Sequence, residues 1–225
     1  LIEYFLQNLD QNIFETIQII IKPNMQKKYL TNLKKEFFFH KINFVTSGNN
    51  RQNSSKNGVF SLKNINPKKV LIHDAARPFV TNKLIKKLIK KLDSFKVCVP
   101  YVKHNDYVKY KSNYYLINNN FLIFIQTPQA FSYQTILKAH KTIKNINAKD
   151  DTILTETIGV KTKIIKGSKK NIKITYKEDL EFFNFLKRKI RRCGIGYDIH
   201  NIDFNSKKKL TLCGVKINHA PLIGH

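Results

Sequence analysis

Several residue types are scarce in this sequence of 225 residues, which has no Trp, one Met, three Cys and only 15 Asp plus Glu. The cysteines, Cys98, Cys193 and Cys213, are too few for a disulfide framework and lack the spacing of a metal site, which fits a reducing cytoplasm. No apolar run approaches the roughly 20 residues that cross a bilayer, and the first residues lack the features of a signal peptide. We therefore expect a cytoplasmic protein that does not bind a membrane.

The shortage of acidic residues leaves a large positive charge, 41 Lys plus Arg against 15 Asp plus Glu, or +26. Such a balance is typical of proteins that bind nucleic acid. The basic residues are nearly all lysines spread over every segment, however, and an excess of Lys, Asn and Ile is what A/T-rich codons produce. We therefore expect no specific nucleic-acid partner, although a positive field would attract nucleotides and sugar phosphates.

The order of apolar patterns predicts an α/β fold with a real core, since 42% of the residues are hydrophobic. Strand-like runs alternate with helical patterns, as in βαβ crossovers and a largely parallel sheet covered on both faces. We expect strands at 16–21, 42–46, 69–73, 95–100, 121–126 and 162–166, and helices at 1–9, 24–36, 52–63, 82–92, 133–146, 152–158 and 177–187. Residues 101–120 break this rhythm and predict a β-arm.

The two ends of the chain look cut through structure. The sequence begins with Leu1 inside an amphipathic helical pattern and ends at His225 without a terminating helix, so we expect a fragment of a longer protein. The basic stretch 187–192 precedes a new strand-like segment and predicts a domain boundary. The roughly thirty residues that follow are too few to fold alone and should be disordered or loosely packed.

Polar residues after two of the predicted strands are candidate ligand-binding positions. Asp74 and Arg77 follow the strand at 69–73, at the end where parallel sheets hold ligands. The carboxylate could coordinate a divalent ion that bridges phosphates, and the arginine could pair with an anion or hold the loop. The polar loop 46–58, with Gly48, could bind a base edge or a phosphate at a helix N-terminus. A capping Asp, a surface Arg and an ordinary loop are the alternatives.

Three further patterns are weaker when taken alone. If 171–175 is extended, Lys173 faces away from its apolar neighbours and could neutralise charge on a transferred phosphoryl group, although a solvated lysine is the alternative. Asp198 and His200 are two apart on a strand-like segment and could be two ligands of a zinc-like site, or a surface pair. The segment 126–131 contains a proline and indicates only the exit from a strand.

These patterns occur together in an order that resembles the 2-C-methyl-D-erythritol 4-phosphate cytidylyltransferase family. The resemblance covers residues 1 to about 187, and the matching segments are VLIHDAARPF at 70–79, QTPQAF at 126–131, Asp-Asp at 150–151 and NIKIT at 171–175. It implies a Rossmann-like nucleotidyltransferase domain with a mainly parallel sheet and a β-arm that forms a homodimer. It also implies attack by the 4-phosphate of the substrate on the α-phosphate of CTP, with release of pyrophosphate and use of Mg²⁺.

The resemblance implies roles for individual residues. Asp74 matches the magnesium-binding aspartate. The predicted catalytic residues are Lys173, which matches the lysine over the reacting phosphate, and Arg77, which supports the Asp74 loop. The positions that match nucleotide or substrate binding are Gly48, Asn49, Ser54, Ala75, Asp106 and Lys109.

This sequence also departs from the family pattern. The family's Gly-rich loop, which holds the triphosphate, would precede Leu1, so we expect little or no turnover from this fragment. Tyr107 replaces a threonine of the arm, and Asn119 stands near the position of an arginine that contacts the substrate. These replacements leave open an inactive, degenerate gene product.

The last residues resemble the opening of 2-C-methyl-D-erythritol 2,4-cyclodiphosphate synthase, through GIGYDIH at 194–200, LCGVKI at 212–217 and LIGH at 222–225. The resemblance implies a linker at 188–192 and a partial α+β lyase domain at 193–225. In that domain Asp198 and His200 would bind Zn²⁺ or a similar ion, and His225 would lie near the substrate. Some bacteria fuse the two families in this order, so we predict a bifunctional enzyme of isoprenoid precursor synthesis. The alternatives are another sugar-phosphate nucleotidyltransferase or a basic nucleic-acid-binding protein.

Overall fold

The computed structural model describes residues 1–103, 108–109, 116–117, 121–143, 148–187 and 199–223. The chain divides into two compact units, Leu1–Phe183 and Asn184–His225. Within the described ranges, no helix combines the length and the apolar character that crossing a membrane requires.

Strands and helices alternate from the N-terminus to Lys187, as predicted. The strands are β1 Ile17–Ile21, β2 Ile42–Thr46, β3 Lys69–Ile72, β4 Val97–Val102, β5 Val108–Lys109, β6 Leu116–Ile117, β7 Phe124–Ile125, β8 Gln129–Ser132 and β9 Lys163–Lys166. The helices are α1 Ile2–Asn8, α2 Lys27–Glu36, α3 Arg51–Ser61, α4 Asn82–Lys91, α5 Tyr133–Thr142, α6 Asp151–Thr157 and α7 Lys177–Lys187, with a 3₁₀ turn at Phe38–His40. Each predicted element is present, with ends that shift by a few residues.

The main sheet has five strands in the order β3-β8-β4-β7, with β9 paired to β4. Strands β3, β4 and β9 run in one direction, because β8 is antiparallel to both β3 and β4, and β9 is parallel to β4. A separate parallel pair joins β1 to β2. The predicted parallel strands are therefore present, and the reversed strands β7 and β8 are inserted among them.

Strand β8 corrects the interpretation of 126–131 as a strand exit alone. After the turn at 126–128, the chain re-enters the sheet at Gln129 and pairs with β3 on one side and β4 on the other. Pro128 precedes the first residue of the ladder, so its missing N–H interrupts no hydrogen bond of the strand.

The core lies on both faces of this sheet, because successive strand residues point to opposite sides. Cys98 and Ala130 pack with Leu84 and Leu88 of α4. The adjacent residues Val97 and Phe131 pack in a second cluster with Val59 of α3 and Ile136 of α5. Helices therefore cover both faces of the sheet.

The arm and the second unit form short antiparallel ladders. In the arm, β5 pairs with β6, with Val108 opposite Ile117. In the second unit, β10 Leu210–Leu212 pairs with β11 Val215–Ile217 through a turn in which Gly214 has φ +80°, a conformation that favours glycine. Every described residue from 199 to 223 is exposed or half-buried.

Candidate active site

The loop after β3 presents Asp74 at the carboxyl end of the strand. The backbone N–H of Asp74 donates to Oγ1 of Thr127 at 3.0 Å, and the N–H of Arg77 donates to the carbonyl of Asp74 at 2.9 Å. Ala75 is exposed in this tight turn. The backbone is thereby held at two points, and the Asp74 side chain stays partly open to solvent, with 21% of its surface exposed.

A neutral histidine, His73, supports this loop through two hydrogen bonds. Because Thr127 Oγ1 accepts from Asp74, its own hydrogen is available to donate to Nδ1 of His73 at 3.0 Å. Nε2 of His73 then carries the proton and donates to the carbonyl of Arg77 at 3.0 Å. Burial lowers the pKa of His73 to about 4, so the imidazole is neutral at pH 7, as this arrangement requires.

Lys173 reaches the same carboxylate from a segment that is a hundred residues away in sequence. Residues 171–175 form no strand, but the N–H of Ile174 donates to the carbonyl of Ala76 at 2.8 Å and joins this segment to the Asp74 loop. Nζ of Lys173 lies 3.0 Å from Oδ2 of Asp74. The sequence-predicted carboxylate and amine therefore meet at one place.

Gln126 holds the Lys173 segment in position. Its buried side-chain amide donates to the carbonyls of Ser168 and Asn171 at 2.8 and 3.1 Å, and its Oε1 accepts from the N–H of Ser168 at 3.2 Å. A Cβ at Gly167 would lie 2.4 Å from Oε1 of Gln126, so glycine permits this close approach. The sequence interpretation assigned no role to Gln126.

Arg77 contacts the same segment from the Asp74 loop. Its Nη1 donates to the carbonyl of Asn171 at 2.7 Å, and the side chain of Asn171 donates to the carbonyl of Thr127 at 2.8 Å. Burial lowers the pKa of the Arg77 guanidinium, and the charge of Asp74 opposes that shift. Of the two uses expected for Arg77, the contacts correspond to holding the loop.

The predicted nucleotide loop surrounds the N-terminus of α3. The N–H of Gly48 donates to Oγ of Ser54 at 3.1 Å, and that hydroxyl donates to the carbonyl of Asn50 at 2.8 Å. A Cβ at Gly48 would lie 2.4 Å from Cβ of Asn53, while Asn49 is exposed. The loop is thus tightly closed on itself and leaves the side chain of Asn49 free to reach a ligand.

Arg51 connects this loop to Asp74 and to a buried carboxylate that the sequence interpretation missed. Its Nη2 lies 3.9 Å from Oδ1 of Asp74, and its Nη1 lies 2.8 Å from Oδ2 of Asp151. Ser55 and His140 also contact Asp151, at 2.7 and 3.5 Å. The sequence signal for this carboxylate is the acidic pair 150–151 in an acid-poor chain, a pair that belongs to the family resemblance.

Other predicted residues lie elsewhere. Lys109 is exposed on β5, and no contact in the described part of the chain joins it to Asp74 or Lys173. His200 belongs to the second unit. Several residues fall outside the described residues, namely Asp106, Tyr107, Asn119, Cys193, Asp198, His225 and the predicted linker 188–192.

Asp74 is the carboxylate that this loop offers to Mg²⁺. Among the described residues, no three His, Cys, Asp or Glu side chains are grouped to hold a metal ion, and Asp74 is a single carboxylate between Arg51 and Lys173. Mg²⁺ is commonly held by one or two carboxylates together with substrate phosphates and water. Asp74 therefore fits an ion that arrives with a nucleotide.

Comparison with known sequences gives a consistent family. A family model described as IspD, 2-C-methyl-D-erythritol 4-phosphate cytidylyltransferase, matches residues 1–189. A bifunctional enzyme IspD/IspF of Wolbachia pipientis is 38% identical over 184 residues, which are 78% of this chain and 46% of the relative. Another, of Bartonella quintana, is 35% identical over 224 residues, 93% of this chain and 56% of the relative. The chain thus spans about half the length of the curated relatives that it matches.

Solved structures show the same fold. A 4-diphosphocytidyl-2C-methyl-D-erythritol synthase of Anaerococcus prevotii matches with a TM-score of 0.75 and 27% identity, over 83% of this chain and 86% of that chain. The bifunctional IspDF of Campylobacter jejuni matches with a TM-score of 0.65 and 25% identity, over 98% of this chain and 56% of that chain. These neighbours confirm the predicted α/β, Rossmann-like nucleotidyltransferase fold.

Proposed function

This chain belongs to the 2-C-methyl-D-erythritol 4-phosphate cytidylyltransferase family, and we propose that residues 1–187 are part of a domain that transfers a cytidylyl group from CTP to 2-C-methyl-D-erythritol 4-phosphate. The observation that carries the proposal is the contact of 3.0 Å between Nζ of Lys173 and Oδ2 of Asp74. A carboxylate and an ammonium at one strand end suit a reaction that depends on positioning and charge stabilisation. The product belongs to isoprenoid precursor synthesis.

The reaction follows from these two groups. Asp74 would hold Mg²⁺ together with the nucleotide phosphates, and the ion would neutralise phosphate charge. Lys173 would leave Asp74 and donate to a non-bridging oxygen of the α-phosphate, where negative charge develops. An oxygen of the 4-phosphate forms a bond to the α-phosphorus while the bond from that phosphorus to the β-phosphate oxygen breaks, and pyrophosphate leaves with the electron pair.

The remaining predicted residues receive supporting roles. The loop with Gly48, Asn49 and Ser54 would bind the cytosine, and Ala75 would contact the nucleotide from the turn after β3. Arg77 would act by holding the carbonyl of residue 171, and so the Lys173 segment. In the arm, Asp106 and Lys109 would contact the second substrate, and the arm would form a homodimer interface.

We also propose a second activity beyond residue 187, with 188–192 as the linker and 193–225 as the start of a cyclodiphosphate synthase domain. The alignment with the Bartonella relative supports this, because it extends over 93% of the chain. Asp198 and His200 would be ligands of Zn²⁺ or a similar ion, and His225 would lie near the substrate. A cytoplasmic location stays an expectation from the cysteine content.

The test is pyrophosphate release by the protein expressed from its whole reading frame, with Mg²⁺, the 4-phosphate substrate and either CTP or UTP. We expect turnover with CTP and a loss of about 10²–10³-fold in kcat for Lys173→Gln, which removes the charge that stabilises the transition state. Lys170→Gln, at another exposed lysine three residues earlier, is the matched control and should keep full activity.

The alternatives predict other results. Equal turnover with UTP would indicate another sugar-phosphate nucleotidyltransferase. No turnover with either nucleotide would support a degenerate enzyme. Tight binding to DNA that falls steeply with salt would support a basic nucleic-acid-binding protein.

A further inference from the structure

A buried carboxylate lies behind the candidate active site and contacts it through one arginine. Asp151, the first residue of α6, has no exposed surface. Its Oδ2 accepts from Nη1 of Arg51 at 2.8 Å, and its Oδ1 accepts from Oγ of Ser55 at 2.7 Å. Nε2 of His140 lies 3.5 Å from the same Oδ1. Arg51 is therefore anchored on a group that solvent does not reach.

Because the guanidinium is rigid, the contact of Arg51 with Asp151 also fixes its position beside Asp74. A guanidinium is planar and presents its amino groups in a fixed fork. With Nη1 held on Asp151, the direction of Nη2 is set, and Nη2 lies 3.9 Å from Oδ1 of Asp74. The Arg51 side chain is 33% exposed, so solvent reaches part of it although Asp151 is fully buried. A lysine could occupy one of the two positions but not both.

Burying the Asp151 carboxylate costs free energy, which its contacts must offset. Burial raises the pKa of Asp151, but the hydrogen bond from His140, the charge of Arg51 and the hydroxyl of Ser55 outweigh it, and the pKa lies below its usual value. Buried ion pairs are generally no more stabilising than apolar residues of the same volume. A contribution to fold stability therefore does not explain why a charged cluster stands here. A role in orienting Arg51 does explain it.

We propose that Asp151 is a positioning residue that orients Arg51 to bind the phosphates of the nucleoside triphosphate at Asp74. This inference rests on the proposed function, because it needs a nucleotide at that carboxylate. In the free protein, Nη2 of Arg51 is beside Asp74. When phosphates arrive with a divalent ion on Asp74, their oxygens offer Nη2 a second anionic partner, to which a guanidinium fork binds well.

The test is the dissociation constant of CTP with Mg²⁺, measured by calorimetry on the protein expressed from its whole reading frame. Arg51→Lys and Asp151→Asn should each raise Kd about tenfold. The first removes the guanidinium fork, and the second removes the carboxylate that orients it. The double variant should be no weaker than the weaker single variant, because the two residues act in series. Asp150→Asn is the matched control, because its carboxylate accepts from Gln129 and Thr152, and its Kd should stay within about twofold of wild type.

Each contrary outcome has a defined meaning. If Asp151→Asn binds as wild type does, or if the two effects multiply in the double variant, the positioning role is refuted. If Asp151→Asn does not fold, Arg51→Lys decides the question, because lysine keeps the positive charge but lacks the fork of donors. A wild-type Kd for Arg51→Lys would then refute the inference, and a raised Kd would support it. If wild-type protein binds no CTP, both this inference and the proposed function fail. Binding with pyrophosphate release, but with no effect of Arg51→Lys, refutes only the inference.

Discussion

Replacing Gln126 by alanine tests whether one buried amide holds the lysine segment beside Asp74. The substitution removes three hydrogen bonds, two donated to the carbonyls of Ser168 and Asn171 and one accepted from the N–H of Ser168. The side chain is 4% exposed, so water reaches these groups poorly in the folded protein.

The magnitude follows from these contacts. Each buried hydrogen bond contributes about 0.5–1.5 kcal/mol net, and partners left unsatisfied cost more. The carbonyl of Asn171 keeps its bond from Arg77, which limits the loss there. We expect Gln126→Ala to lower the free energy of unfolding by about 3 kcal/mol, or about 6–12 °C in Tm for a chain of this size.

The assay is urea unfolding at pH 7, with hydrogen exchange of the Ile174 amide as a local measure. That amide donates to the carbonyl of Ala76 and should exchange faster when the segment is loosened. Gln134→Ala is the matched control, because its exposed amide donates to Asn66 at the surface, and its cost should be below about 0.5 kcal/mol. Equal losses of unfolding free energy for Gln126→Ala and Gln134→Ala would refute the role of Gln126 in holding the lysine segment.

Two other predictions concern the groups around the site. Thr127→Val keeps the shape of the side chain but leaves the N–H of Asp74 without its acceptor, so we expect a loss of about 1–3 kcal/mol in unfolding free energy, measured with urea. Asp151 has a pKa below its usual value in the folded protein, so its stabilisation is present above the ordinary pKa and is lost as pH falls through the lowered one. The difference in unfolding free energy between wild type and Asp151→Asn should therefore shrink as the pH falls below about pH 4.

Matched variants separate these effects from general damage. Thr157→Val removes an exposed hydroxyl that donates within α6 and should cost less than about 0.5 kcal/mol. A cost equal to that of Thr127→Val would contradict the role given to Thr127. A difference between wild type and Asp151→Asn that does not shrink below about pH 4 would contradict the stabilising role given to the Asp151 carboxylate.

The fold was largely predictable, because the spacing of apolar residues and the length of a segment distinguish helices from strands. The helix at 82–91 repeats apolar residues at helical spacing, and the strand at 97–102 is a short apolar run between polar segments. Strand β8 was missed, because four residues after a proline carry no period that separates a strand from an exit turn. Its place between β3 and β4 depends on chain reversal, which local pattern does not encode.

The amino-acid sequence alone determined the alternation of elements, the family resemblance and the candidates Asp74 and Lys173, since each depends on residue type and local order. Only the tertiary structure decided that these two side chains meet, that Gln126 holds the segment between them, and that Arg51 links Asp74 to the buried Asp151. The physical reason is that such contacts join residues far apart in the chain, and their distances depend on how sheets and helices pack rather than on any neighbouring residue.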